Sequence, residues 1–173
     1  MQRSRKSGFA LACMALTLAA AAQSAATPAS SWRLSPEGYG PFKIGMRFAQ
    51  VRKLAPRLRP TEAALLVSPG CDYLALPGHH GVGLMFIDGR LRRIDLSQPG
   101  LLTTRGVGPG DTVARVLQAY PGLEATPRAY VENEQSLTSH AGPNAIRFET
   151  LEGRIDDVHA GRWAEVQLME ECS

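Results

Sequence analysis

Twelve residues of this chain occur twice. Gly45-Met-Arg-Phe-Ala-Gln-Val-Arg-Lys-Leu-Ala-Pro56 returns as Gly110-Asp-Thr-Val-Ala-Arg-Val-Leu-Gln-Ala-Tyr-Pro121. Without gaps, Gly45 falls on Gly110, Ala49 on Ala114, Val51 on Val116 and Pro56 on Pro121. Such an echo predicts two units of similar build. In the first copy Phe48, Val51, Ala55 and Leu58 recur at helical spacing; in the second Val113, Val116, Leu117 and Tyr120 do the same. Asp111 or Thr112 can cap the second helix by accepting from N–H groups that lack a partner at a helix start. Pro56 and Pro121 end both helices at one place, because the residue before a proline is pushed out of α conformation. Helices of about ten residues do not hold alone in water, so each must lie on an apolar surface.

Strands supply that surface. Trp32 and Leu34 can begin one, and Ala64–Val67 and Cys71–Leu76 read as two more. Gly83-Leu-Met-Phe-Ile-Asp-Gly-Arg-Leu-Arg-Arg-Ile-Asp-Leu96 is a hairpin whose Asp88-Gly89 turn calls for positive φ at both residues. The second unit offers Ala145–Phe148, a longer turn, and Gly153–Val158. Leu91 and Ile94, like Ile155 and Val158, are spaced by three, which breaks strand alternation. Either the return strand of each hairpin carries a β-bulge or the alternation is misread. Gly161–Met169 reads as a closing strand. The expected architecture is α+β, two tandem helix-on-antiparallel-sheet repeats, with residues 36–100 as the first, 101–173 as the second and 27–35 as a loose leader.

Residues 1–26 read as a secretory signal peptide. Arg3, Arg5 and Lys6 form a basic head, Phe9–Ala22 is a short apolar run, and small-x-small cleavage sites follow. Leu11-Ala12-Cys13 is not read as a lipobox, since the apolar run continues past the cysteine. The chain carries 19 basic and 16 acidic residues, and three of the basic ones lie in this segment, leaving 16 of each sign. A neutral remainder does not suggest a nucleic-acid or anionic-membrane partner, and the Phe9–Ala22 run is too short for a stable membrane anchor. Export to the periplasm or beyond places Cys71 and Cys172 in an oxidising compartment, where an even pair implies a disulfide, the alternative being two separate thiols. A bridge closing so long a loop is worth ~2–4 kcal/mol.

Catalytic signals are sparse. His79-His80 is the best metal-like feature, but it has no carboxylate or cysteine close in sequence, so a solvated loop is the plainer reading. Asp156, Asp157 and His159 resemble a carboxylate–histidine group without a nucleophile. Gly106–Gly110 lacks the Lys-Ser/Thr ending of a phosphate loop and is a turn. Arg90, Arg92 and Arg93 suit either an exposed sheet or a protein interface, with Met85 opposite Arg92 in the simple hairpin register. Tyr73, Tyr130 and Trp163 are possible anchors, and any of them can instead be core, Trp163 first because it sits in an apolar strand.

Gly-x-Gly-Pro-Phe-Lys-Ile-Gly-Met at 38–46, the Phe86-Ile-Asp-Gly-Arg90 hairpin, Val107-Gly-Pro-Gly-Asp-Thr112 and the terminal Glu-Glu-Cys172 together resemble a group of small exported bacterial proteins. These share the tandem-repeat fold of beta-lactamase inhibitory protein and outer-membrane small lipoprotein A. The resemblance covers residues 36–172 and implies a sheet face that clasps another protein. It also implies a disulfide in each unit, whereas only one can form here. The expected function is an exported, non-enzymatic protein-binding module without cofactor, inhibitor-like or an envelope-assembly accessory. The alternative is a small-ligand or glycan-binding envelope protein.

Overall fold

The computed structural model describes residues 31–60, 70–170 and 172. The expected signal peptide and the Ala64–Val67 strand lie outside them. In chain order, β1 (Leu34–Ser35), β2 (Gly38–Tyr39) and β3 (Phe42–Lys43) lead into α1 (Phe48–Leu54). Next come β4 (Arg59–Pro60), β5 (Cys71–Ala75), β6 (Val82–Ile87) and β7 (Arg90–Leu96). Then α2 (Val113–Ala119) precedes β8 (Glu124–Pro127), β9 (Gln135–Ala141), β10 (Asn144–Leu151) and β11 (Arg154–Arg162), and α3 (Trp163–Val166) follows. Among the described residues no helix is long and apolar enough to cross a membrane.

Asp88 (φ 50°) and Gly89 (φ 67°) form the turn between β6 and β7, with the positive φ that the sequence demands. Glu152 (φ 50°) and Gly153 (φ 74°) form the same turn between β10 and β11, so the longer turn expected there is corrected to two residues. Both hairpins carry a register shift, at Met85/Phe86 and at Glu149/Thr150. The extra residues are Arg92 and Asp156, so the bulges do lie in the return strands. Each keeps two apolar residues spaced by three, Leu91 with Ile94 and Ile155 with Val158, in the core. The shift also brings Met85 opposite Arg93 rather than Arg92.

The strands merge into one antiparallel eight-stranded sheet, ordered β4-β5-β6-β7-β11-β10-β9-β8, beside a three-stranded sheet of β1–β3. Strand accounts for 42% of the described residues and helix for 14%. This mostly-β content corrects the expected α+β architecture of two helix-on-sheet repeats. α1 and α2 have seven residues each, and each wholly buries a single side chain, Val51 or Val116. Leu117, expected on the buried stripe, is 45% exposed. Two turns of helix are too few to make a layer; the cross-strand ladders carry the structure instead. Thr112 caps α2 by accepting from the Arg115 N–H at 3.3 Å, and both helices end two residues before the proline, at Leu54 and Ala119.

One sheet face is apolar. Leu74, Leu84, Ile94, Ala160 and Ile146 stand side by side across five strands, as do Val82, Leu96, Val158, Phe148 and Leu137. Tyr39, Phe42 and Leu34 pack into the same cluster. Leu34 is fully buried and its N–H donates to the Leu102 carbonyl at 3.0 Å, so the expected loose leader is built into the fold at this residue. The expected closing strand is corrected too. β11 stops at Arg162, and α3 turns the chain so that Cys172 reaches Cys71.

Candidate functional site

The opposite face is polar at its centre. In one row Gly83, Asp95, His159, Arg147 and Thr138 follow one another from β6 to β9. Alternation along each strand puts Arg93 beside Asp95, Glu149 beside Arg147 and Asp157 beside His159 on this same face. The Tyr73 hydroxyl donates to Asp95 Oδ2 at 2.7 Å. Arg93 Nε lies 2.9 Å from Oδ1 and 3.1 Å from Oδ2 of Asp95, with its hydrogen aimed at Oδ2. The Arg93 Nη1 group donates to the carbonyls of Glu165 and Leu168, and Nη2 to that of Glu170. Further along, Arg147 Nε donates to Glu149 Oε1 at 2.6 Å, Ser136 Oγ to Glu149 Oε2 at 2.6 Å, and Arg128 Nη2 to Asp156 Oδ2 at 2.9 Å.

This belt perturbs its titratable members. Burial pushes Asp157 up to about 6, with Asp156, Asp95 and Glu149 adding to the effect and Arg128 opposing it. Burial holds His159 below its usual range, opposed by Asp95 and Glu149 and reinforced by Arg93 and Arg147. His159 Nδ1 has no protein partner, and the residue is 6% exposed. Its imidazole is therefore a neutral, sealed group in this conformation, out of reach of a substrate. Asp156 is an electrostatic neighbour of Asp157.

The sequence candidates fall into three places. Tyr73 and Arg93 are interior; Arg93 is 1% exposed and spends its donors on Asp95 and the C-terminal segment, so neither residue presents a contact surface. Cys71 and Cys172 are bonded to each other, 101 residues apart, and fix the end of that same segment. Trp163 opens α3, half-buried, with its ring 4.5 Å from that of His140. His79 stacks on Trp32 at 4.3 Å with 8° between the planes, beside a hollow of about 270 Å³ that Phe42 and Leu76 also line. Burial lowers the His79 ionisation, and His80 is exposed. Among the described residues no group of three or more His, Cys, Asp or Glu is placed to hold a metal ion.

Among the described residues, two exposed features bear on binding. Arg90 and Arg92 line a cleft of about 360 Å³ with Arg162, Asn144, Ile44 and Gly45. At the other end of β10, the β8–β9 loop displays Tyr130, 91% exposed and at φ 63°. The loop base is braced. Arg128 Nη1 donates to the Thr150 carbonyl at 2.7 Å, and Glu134 accepts from Thr150 Oγ1 and the Glu152 N–H, both at 2.6 Å. These two donors, Thr150 first, hold the Glu134 carboxyl below the usual range.

Sequence reasoning missed Arg128, Glu134, Arg147 and Glu149 because their partners are set by strand pairing. The Arg147/Glu149 spacing of two, which shares a face on any strand, was the available signal. The fold and its polar belt define a β-rich, disulfide-linked protein built on a single large sheet. No family model matches the chain, and no curated protein or solved structure matches it.

Proposed function

We propose that the protein is an exported, non-enzymatic module that binds another protein, with Tyr130 as its principal anchor. The observation that carries this reading is the display of Tyr130, an aromatic side chain 91% exposed on a loop braced at its base. Tyrosine gives large contact area at low entropic cost, and a braced loop has less ordering left to do on binding. A non-glycine residue at positive φ costs of order 1–3 kcal/mol, and such strain clusters at binding sites. The Cys71–Cys172 bond supports export, since disulfides form and persist in oxidising compartments. The motif resemblance points the same way, because that group mostly binds proteins.

The test is capture of the C-terminally tagged protein from its native envelope under non-reducing conditions. A single stoichiometric protein is expected, retained about thirtyfold less well by Tyr130→Ser, the loss of a ~2 kcal/mol hot spot. Equal retention by the variant, or a protein recovered without partner across growth conditions, overturns the reading.

A further inference from the structure

We infer that the cleft between the β3–α1 connection and the far end of the sheet takes an acidic peptide segment of the partner, an inference that rests on the protein-binding reading. Arg90, Arg92 and Arg162 line one hollow together with Asn144. Arg162 and Asn144 are direct partners across β10 and β11. Arg90 is held in place by donating from Nη1 to the Gly45 carbonyl at 3.1 Å, which leaves its other N–H groups for a ligand.

Charge in the cleft is unbalanced. The nearest carboxylate to Arg92 is Glu165, at 4.0 Å from Nε, beyond hydrogen-bond reach. Arg92 Nε is itself buried, so the 28% of the Arg92 side chain that is exposed lies on its other atoms. The arginines call for an oxyanion, and their planar forks match a carboxylate bidentately. A peptide with Asp or Glu side chains supplies that carboxylate. The cleft and Tyr130 lie at opposite ends of β10, so they form separable contacts on one partner.

The experiment titrates the oxidised protein into a fluorescent, end-blocked hexaglutamate peptide and follows anisotropy. Saturable binding is expected, weakening about tenfold or more as salt rises from about 20 to about 200 mM. Arg92→Gln/Arg162→Gln should weaken it by a further factor of ~10 or more, and Arg92→Lys, which keeps the charge but loses the fork, by less. Arg154→Gln, at an exposed arginine away from the cleft, should leave it unchanged. No saturable binding, equal binding by the double variant, or displacement by inorganic phosphate at lower concentration than by unlabelled peptide overturns the assignment. If the double variant still captures the native partner while Tyr130→Ser does not, the cleft assignment fails alone and the protein-binding reading stands.

Discussion

The β6–β7 and β10–β11 hairpins share a backbone and differ in charge. Each turns on two residues at positive φ, the second a glycine, and each has an arginine next, Arg90 or Arg154. Each of these arginines donates to a glycine carbonyl ahead of a helix, Gly45 or Gly110. Each hairpin bulges at the second residue after that arginine. There the likeness stops. The bulge and its successor are Arg92-Arg93 in one hairpin and Asp156-Asp157 in the other. Asp156 is matched from within by Arg128 at 2.9 Å, whereas Arg92 has its nearest carboxylate at 4.0 Å. Arg93 is used up in tethering the C-terminal segment, while Asp157 sits among carboxylates and keeps its proton to about 6. The same frame thus serves internal cohesion on one side and leaves unspent positive charge on the other.

The sharpest break of that comparison is Arg93→Leu. It deletes the donors to Glu165, Leu168 and Glu170 and strands the buried Asp95 carboxylate. Removing one partner of a buried ion pair costs ~3–5 kcal/mol, which should appear as a lowered urea midpoint. Cys71 and Cys172 hold the same segment, so Arg93→Leu combined with Cys71→Ala/Cys172→Ala should cost less than the two effects added. Strict additivity would show that the arginine and the disulfide do not secure one structure.

Asp157 gives a smaller effect with a characteristic pH dependence. The fold raises its ionisation from 3.8 to about 6, so the fold favours the protonated form. The associated stability is fully present below 3.8 and is lost as pH rises through about 6. His159 acts in the opposite sense. Its ionisation is lowered from 6.5, so its share is present above 6.5 and is lost as pH falls. Asp157→Asn removes the first effect alone. The variant should match the parent near pH 4 and exceed it by on the order of 1–2 kcal/mol at pH 7, about half the full conversion because the carboxyl is partly solvated. A difference that stays flat across that range would remove Asp157 from the titrating belt.

Local signals in the sequence reached far along these hairpins and little beyond them. Asp88-Gly89 specified its turn outright, because few pairs accept positive φ twice. The spacing of Leu91 to Ile94 and of Ile155 to Val158 leaves a bulge and a misread alternation both open, and the strand registers contain the bulges. The even cysteine pair pointed to the disulfide. Helix weight was overestimated, since an apolar stripe looks the same whether the helix forms a layer or stops after two turns. The second turn reads too long from the sequence because Glu152 accepts a left-handed conformation less readily than aspartate or asparagine, so nothing local marks it. The arginine cleft was half legible: Arg90 and Arg92 stood out, but Arg162 and Asn144 join them only through the pairing of β11 with β7 and β10. Tyr130 was legible as a residue and not as an exposed one, because its setting depends on Arg128 reaching Thr150 and Asp156 across the sheet.

The smallest expected effect tests whether the two frames are equivalent. Arg90→Gln and Arg154→Gln each delete a side-chain hydrogen bond to a glycine carbonyl, of 3.1 and 2.8 Å. Both arginines are exposed, so each loss should be about 0.5 kcal/mol, the low end for a hydrogen bond. The backbone clasps beneath survive in both variants. Gly45 N–H still donates to the Leu91 carbonyl at 2.7 Å, and Gly110 N–H to that of Ile155 at 2.8 Å. Neither helix start should therefore detach, and the two urea midpoints should fall together. What should separate the variants is the acidic peptide, weakened by Arg90→Gln and indifferent to Arg154→Gln. Equal stability with unequal binding is the result that a shared frame with divided charge requires; a stability gap of more than about 1 kcal/mol would mean that the frames themselves differ.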